Sequence, residues 1–329
     1  MNLVGLDCGT GNFVSCAENV IKIQRDAFLE ISAEKTSKKQ LKLMQVPFAE
    51  INNHLYIIGN KAVELANIFG NSELRRPMKE GTLNPTEADA FPVLQQIIKS
   101  LLPEIKSDSN NFVTYCIPGK PVDKDQEIAY HEDVLKQLIE SLGYKANAIN
   151  EAVALGYVGL ADNNLTGISI SCGSGMANVA IMYQGISALE FSISKCGDWI
   201  DQQVSNDCGI TKAKAQKIKE TGNYSISPNW GESRTREQNA IKTYYESLIR
   251  YILAHIEQEF LSVNMPDFPE AVPIVCGGGT SMVQGFIEVF KSQFTQKGFP
   301  INISEIKLVD EPLTAVSRGC YINSQLEAE

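Results

Sequence analysis

The chain repeats itself across its two halves. Gly5-Leu6-Asp7-Cys8-Gly9-Thr10-Gly11-Asn12 can be laid over Ser169-Ile170-Ser171-Cys172-Gly173-Ser174-Gly175-Met176. In each copy a run that reads as a strand enters a Cys-Gly-hydroxyl-Gly turn and leaves as a second strand. Such a turn exposes consecutive backbone N–H groups, and glycine lets the chain approach a bound anion closely. The Thr10 and Ser174 hydroxyls add donors. One turn of this kind reads as an ordinary tight hairpin, but an unrelated hairpin has no reason to reproduce the order Cys-Gly-x-Gly. The duplication therefore predicts two similar halves whose hairpins face each other and clamp a polyphosphate.

A third glycine cluster, Cys276-Gly277-Gly278-Gly279-Thr280-Ser281, follows the apolar run 272–276 and precedes a helical pattern over 282–294. Strand, glycine turn, helix is where α/β proteins hold nucleotides. The cluster lacks both the lysine of a P-loop and the Rossmann glycine spacing, which disfavours those two folds. The remaining pattern alternates strands (3–6, from 13, 55–58, 112–117, 168–171, 179–183) with helices (85–102, 131–142, 200–208, 212–220, 244–260), the signature of an α/β fold. The polar run 32–42 and the Ser-, Asn-, Pro- and Gly-rich stretch 222–237 read as connecting regions.

Composition narrows the partners. Lys and Arg number 29 against 39 Asp and Glu in 329 residues, a formal charge of −10 that repels nucleic-acid backbones. No apolar run approaches the roughly 20 residues that span a bilayer, and no secretory signal opens the sequence. Eight cysteines without CxxC spacing and three histidines read as buried thiols in a reducing cytoplasm, with little support for a zinc site.

Taken in order, the motifs resemble those of the actin-like ATPase superfamily (actins, heat-shock chaperone ATPase domains, sugar kinases), most of all its bacterial MreB branch, over nearly the whole chain. Residues 5–10 resemble the first phosphate loop and Gly173-Ser174-Gly175 the second. Pro77-Met78-Lys79-Glu80-Gly81 resembles a segment of the MreB branch, and Gly197-Asp198-Trp199-Ile200-Asp201 a Gly-Asp-x-x-Asp segment. Asn150-Glu151-Ala152-Val153-Ala154 resembles the first connecting helix, Gly277-Gly278-Gly279 the adenosine loop, and residues 311–319 the final connecting helix. The resemblance implies a duplicated actin-like (ribonuclease-H-like) α/β fold, two domains of two subdomains each around a nucleotide cleft. Residues 1–151 with 312–329 would form the first domain, with a small insertion at 33–76, and residues 152–311 the second, with an insertion at 191–240.

It also implies roles. ATP or GTP would bind with Mg²⁺, whose water shell Asp7 would hold; an Asx-turn cap is the plainer use of that aspartate. Glu151 would orient the attacking water, though an acid in a helical first turn is favourable on its own. Gly9, Thr10, Gly11, Asn12, Gly173, Ser174 and Gly175 would hold phosphates; Gly277, Gly278 and Gly279 would line the purine side. Lys219 would reach the ribose or base, although a solvated helix face explains it about as well. Ser171 stands where the family carries an aspartate. A hydroxyl brings no charge to the metal, so slow hydrolysis is expected.

Three functions compete: an ATP-dependent, filament-forming cytoskeletal protein of the MreB type; a non-polymerising nucleotide-binding regulator or degenerate ATPase, which Ser171 favours; and, last, a small-molecule kinase, for which no acceptor-activating aspartate can be assigned. No segment after residue 320 is long enough for a chaperone's peptide-binding domain. Self-association is the expected partnership, without nucleic acid. The first strand starts near Leu3, so no amphipathic helix precedes it, which leaves membrane contact to a loop such as Ile68-Phe69.

Overall fold

Two five-stranded sheets built on one strand order organise the chain. The computed structural model describes residues 2–31, 38–69, 74–105, 111–262, 265 and 267–328. It divides into two compact units: Met1–Ile117, Glu127–Ile149 and Cys320–Glu329 form one; Pro118–Gln126 and Asn150–Gly319 form the other.

In the first unit the strands are β1 (Asn2–Cys8), β2 (Asn12–Ala17), β3 (Val20–Arg25), β4 (Phe28–Ile31), β5 (Phe48–Ile51), β6 (His54–Ile58), β7 (Met78–Lys79), β8 (Thr82–Leu83), β9 (Asn111–Ile117) and β10 (Lys145–Asn150). The helices are α1 (Lys38–Leu43), α2 (Asn60–Phe69), α3 (Ala90–Leu101) and α4 (Ala129–Ser141). The main sheet runs β3-β2-β1-β9-β10, with β1 antiparallel to β2 and parallel to β9. Val4 and Leu6 of β1 are wholly buried, as are Val93, Leu94, Ile97 and Ile98, the apolar stripe of α3. A separate three-stranded sheet, β4-β6-β5, closes with α1 and α2 on its own core of Leu29, Leu41, Leu55, Ile57 and Ala62.

The second unit opens on α5 (Glu151–Gly159). Then come β11 (Gly167–Cys172), β12 (Ala177–Tyr183), β13 (Ile186–Ile193), α6 (Gly197–Cys208), α7 (Lys212–Thr221), α8 (Arg236–Ser262), β14 (Val272–Gly277), α9 (Phe286–Gln293) and β15 (Ile303–Leu308), and then α10 (Ala315–Glu327), which from Cys320 onward belongs to the first unit. Its sheet runs β13-β12-β11-β14-β15, with β11 antiparallel to β12 and parallel to β14, so both copies share one topology. Every residue of β11 and of β14 is buried, as central strands covered on both faces must be.

Several element boundaries differ from the sequence expectation for identifiable reasons. The helix expected over 85–102 begins at Ala90, because Asn84 folds residues 84–87 into a turn: its Oδ1 accepts from the Thr86 N–H (3.2 Å) and its carbonyl from the Glu87 N–H (3.1 Å). The helix expected over 244–260 starts eight residues earlier, at Arg236. Thr235 and Gln238 form a reciprocal capping box, the Thr235 N–H donating to Gln238 Oε1 (2.9 Å) and the Gln238 N–H to Thr235 Oγ1 (3.3 Å). The helix expected from 282 waits until Phe286, since the Gln284 carbonyl is taken by the Ile226 N–H (2.8 Å). Of the polar run 32–42, residues 32–37 lie outside the described residues, as do the side chains of Ile68-Phe69, while their backbone closes α2. Among the described residues no helix is long and apolar enough to cross a membrane.

One buried group works against the fold. His131 on α4 is 1% exposed and neither ring nitrogen has a hydrogen-bond partner among the described residues. Burial pushes its pKa down from 6.5 to about 4. Because the folded value lies below the unfolded one, stability is full above pH 6.5 and falls as the pH drops toward 4. His131→Leu should raise stability at pH 7 by about 1 kcal/mol. In urea unfolding at a series of pH values, its advantage should widen by about 3 kcal/mol between pH 7 and 4.

Candidate functional site

The two hairpin tips carry the same construction. In the β1–β2 turn the Gly9 N–H donates to the Asn12 carbonyl at 3.1 Å; in the β11–β12 turn the Gly173 N–H donates to the Met176 carbonyl at 3.0 Å. A side chain at Gly9 would place its Cβ 2.8 Å from the Asn12 carbonyl, and at Gly173 3.1 Å from that of Met176, which explains glycine at the same place in both. The N–H groups of Thr10, Gly11, Ser174 and Gly175 donate to nothing among the described residues. Each tip therefore presents two adjacent free amides, the donor set an anion requires.

The first tip is braced by the 77–81 segment. The Gly81 N–H donates to Thr10 Oγ1 (2.9 Å) and Arg76 Nη2 to the Thr10 carbonyl (2.8 Å). The Thr10 hydroxyl is thereby used as an acceptor and keeps its proton for another group; Lys79 is exposed. Asn12 Oδ1 accepts from Arg25 (3.5 Å). At the mouth of this turn Asp7 is half-buried, and its Oδ1 accepts from the Cys116 thiol (3.3 Å). No cation among the described residues pairs with it, and burial pushes its pKa up to about 7, against a smaller lowering by Cys116. A carboxylate left in this condition suits a hydrated divalent cation, whose charge would restore its ionised form.

The second tip holds a different set. Glu151 is the first residue of α5, placed there by Asn150, whose Oδ1 caps the helix by accepting from the Ala152 (2.8 Å) and Val153 (3.3 Å) N–H groups. Ser171 Oγ donates to Glu151 Oε1 at 2.7 Å, and Asn178 Nδ2 donates to Glu151 Oε2 at 2.8 Å. Ser171 and Asn178 are both wholly buried. The Ser171 hydroxyl is thus committed to the glutamate beside it. Asn178 went unrecognised in the sequence, although the repeat marks it: it occupies the place of Val14 in the first copy, and a buried strand position exchanging valine for an amide asks for a partner.

The third glycine loop closes on the second tip. Thr280 Oγ1 donates to the Gly173 carbonyl (2.7 Å), and the Gly197 N–H donates to the same oxygen (3.3 Å). The Asp198 N–H donates to the Ser174 carbonyl (2.7 Å). The three glycines of this loop differ in what confines them. A Cβ at Gly277 would stand 2.5 Å from the Leu155 side chain; Gly278 has φ +85° and would meet the Cys172 backbone at 2.5 Å; Gly279 would meet only the Leu313 side chain, at 3.5 Å. Lys219 is turned inward: Nζ donates to the Gly197 carbonyl (2.9 Å) and to Asp201 (2.8 Å). Burial raises the Asp201 pKa to about 6 despite that ammonium.

A model of the volactin family matches residues 1–324. The chain belongs to the volactin family. No curated protein sequence matches this volactin. Among solved structures it is similar to a MamK double helical filament, with a TM-score of 0.74 and 19% identity over 99% of this chain and 98% of that one. It is likewise similar to MreB5 of Spiroplasma citri bound to AMPPNP, with a TM-score of 0.71 and 15% identity over 99% and 97%. The ethanolamine utilization protein EutJ from Carboxydothermus hydrogenoformans gives a TM-score of 0.56 and 15% identity over 98% and 90%. At such identities the likeness is one of fold: this volactin has the duplicated actin-like α/β fold.

Two sets of variants separate the roles of these residues by thermal unfolding. Gly278→Ala should cost about 3 kcal/mol, since it combines a left-handed backbone with a main-chain collision, whereas Gly279→Ala should stay within about 0.5 kcal/mol of the parent. Asp7→Asn should stabilise the unliganded protein by about 2 kcal/mol at pH 8. A carboxyl whose folded pKa is raised loses stability as the pH climbs from its unfolded value of 3.8 through about 7, and the amide escapes that loss.

Proposed function

We propose that this chain binds a nucleoside triphosphate, ATP or GTP, with Mg²⁺, turns it over slowly, and assembles into cytoplasmic filaments under control of the nucleotide state. The reading is carried by one observation: the same amide-tipped turn is built twice, with the same internal hydrogen bond. On this reading Gly9, Thr10, Gly11 and Asn12 of one tip and Gly173, Ser174 and Gly175 of the other hold phosphate oxygens, Gly279 lies on the purine side with Gly277 and Gly278 shaping its loop, and Lys219 supports that loop's surroundings through Gly197. The cation neutralises charge on the transferring phosphoryl group when bound. Asp7 would hold its water shell, and Glu151, a carboxylate fixed by two donors, would orient the attacking water. Filament assembly is supported by the fold likeness to MamK, solved as a double helical filament, and nucleotide binding by the likeness to MreB5, solved with AMPPNP.

Ser171 favours a second reading, a nucleotide-binding regulator that does not polymerise. With a hydroxyl there, the second tip brings no negative charge of its own to the metal, which weakens hydrolysis before it weakens binding.

Saturating Mg-ATP at about 100 times its Kd should stabilise the protein by about 2.7 kcal/mol in thermal unfolding. The Mg²⁺-dependent part of that gain should disappear in Asp7→Asn. Sedimentation with ATP, with ADP and without nucleotide distinguishes the two readings: pelleting that depends on nucleotide supports filaments, and a monomer at high concentration in all three conditions leaves the regulator.

A further inference from the structure

Glu151 is held on both of its oxygens, on one of them by an amide. Asn178 reaches from β12, donating through Nδ2 to Glu151 Oε2 (2.8 Å) while Oδ1 accepts from the Gly119 N–H (3.0 Å). The amide has one sensible orientation, since turning it over would aim its oxygen at a carboxylate and its NH₂ at an N–H group. Gly119 is itself fixed. Its carbonyl accepts from Ser192 Oγ (2.7 Å), and a Cβ there would stand 2.8 Å from the Phe191 backbone. Ser171 lies directly across the strand pair from Asn178 and donates to the other carboxylate oxygen. In the first copy the equivalent cross-strand pair is Asp7 and Val14, an acid and an alkyl group that could not perform this service.

We infer that Asn178 is a positioning residue for Glu151: braced against Gly119, and with Ser171 donating to the other oxygen, it fixes the plane of the carboxylate. A glutamate side chain otherwise samples several rotamers, and a misplacement of about 1 Å at a reacting group costs about 10²-fold in rate. The inference rests on the reading of Glu151 as the group that orients water.

Asn178→Asp tests it sharply, because it keeps the volume and the acceptor for Gly119 but sets a second carboxylate against Glu151. Ser171→Ala removes the other donor, and Ser171→Thr retains a hydroxyl. Asn178→Asp and Ser171→Ala should each lower kcat for Mg-ATP by about 10²-fold, with the Kd for AMPPNP within about threefold of the parent, and Ser171→Thr should recover most of the rate. Thermal unfolding confirms that each variant is folded. In parallel, the ¹³C carboxyl resonance of Glu151 in the unliganded protein, identified by its loss in Glu151→Gln, should be displaced in Asn178→Asp and Ser171→Ala from its position in the parent. Parent-like turnover in Asn178→Asp, or an undisplaced resonance in both variants, overturns the positioning role. If the parent binds AMPPNP but does not turn ATP over while the resonance still moves, the hydrolytic reading falls and the positioning of Glu151 stands.

Discussion

A single carbonyl oxygen gathers the second unit's chemistry. The oxygen of Gly173 accepts from the first N–H of α6 and from the Thr280 hydroxyl, so segments more than a hundred residues apart meet at one atom. A buried carbonyl needs its partners, and this one draws them from the two places where the chain turns sharply after a strand. Thr280 is in turn held by the Tyr245 hydroxyl, which donates to its carbonyl at 2.9 Å, and the Gly197 carbonyl by Lys219. The hairpin tip is therefore not a free loop. Its amides are left open because everything behind them is satisfied.

A net charge of −10 stands against the proposed polyphosphate ligand. The geometry reconciles them, because the donors offered to an anion are main-chain N–H groups, which carry partial positive charge whatever the side chains around them do. Each tip turns carbonyls inward and keeps two amides. The opposite case is Lys219, the one ammonium expected to reach a ligand. Buried beside Asp201, it has two of its three protons engaged within the protein, and its contribution is to hold α6 and α7 together.

Much of this was legible in the sequence, and the parts that were not fall out for physical reasons. The paired turns, the strands leading into them and the amphipathic faces of α4 and α8 announce themselves through glycine spacing and apolar period. Strands β10, β13 and β15 do not. Lys145–Asn150 has few large apolar residues, β13 exposes alternate positions, and β15 exposes Ser304 and Glu305 side by side, so none gives a continuous apolar run. The start of α8 was written in a capping box but hidden behind a polar first turn. Asn178 escaped for a different reason. Its meaning lies in Gly119 and Glu151, each tens of residues away, and no local pattern connects a strand amide to a helix-start acid.

The cross-strand pairs Asp7–Val14 and Ser171–Asn178 bear on the history of the duplication. The two copies share a backbone and differ in their side chains: one sets a carboxylate at this place, the other a hydroxyl and an amide that clasp Glu151. They have ceased to be exchangeable parts. A chain assembled from two first copies would set an acid and an alkyl group where Glu151 needs donors. One assembled from two second copies would have no carboxylate at either turn. Only the heterogeneous pair supplies both.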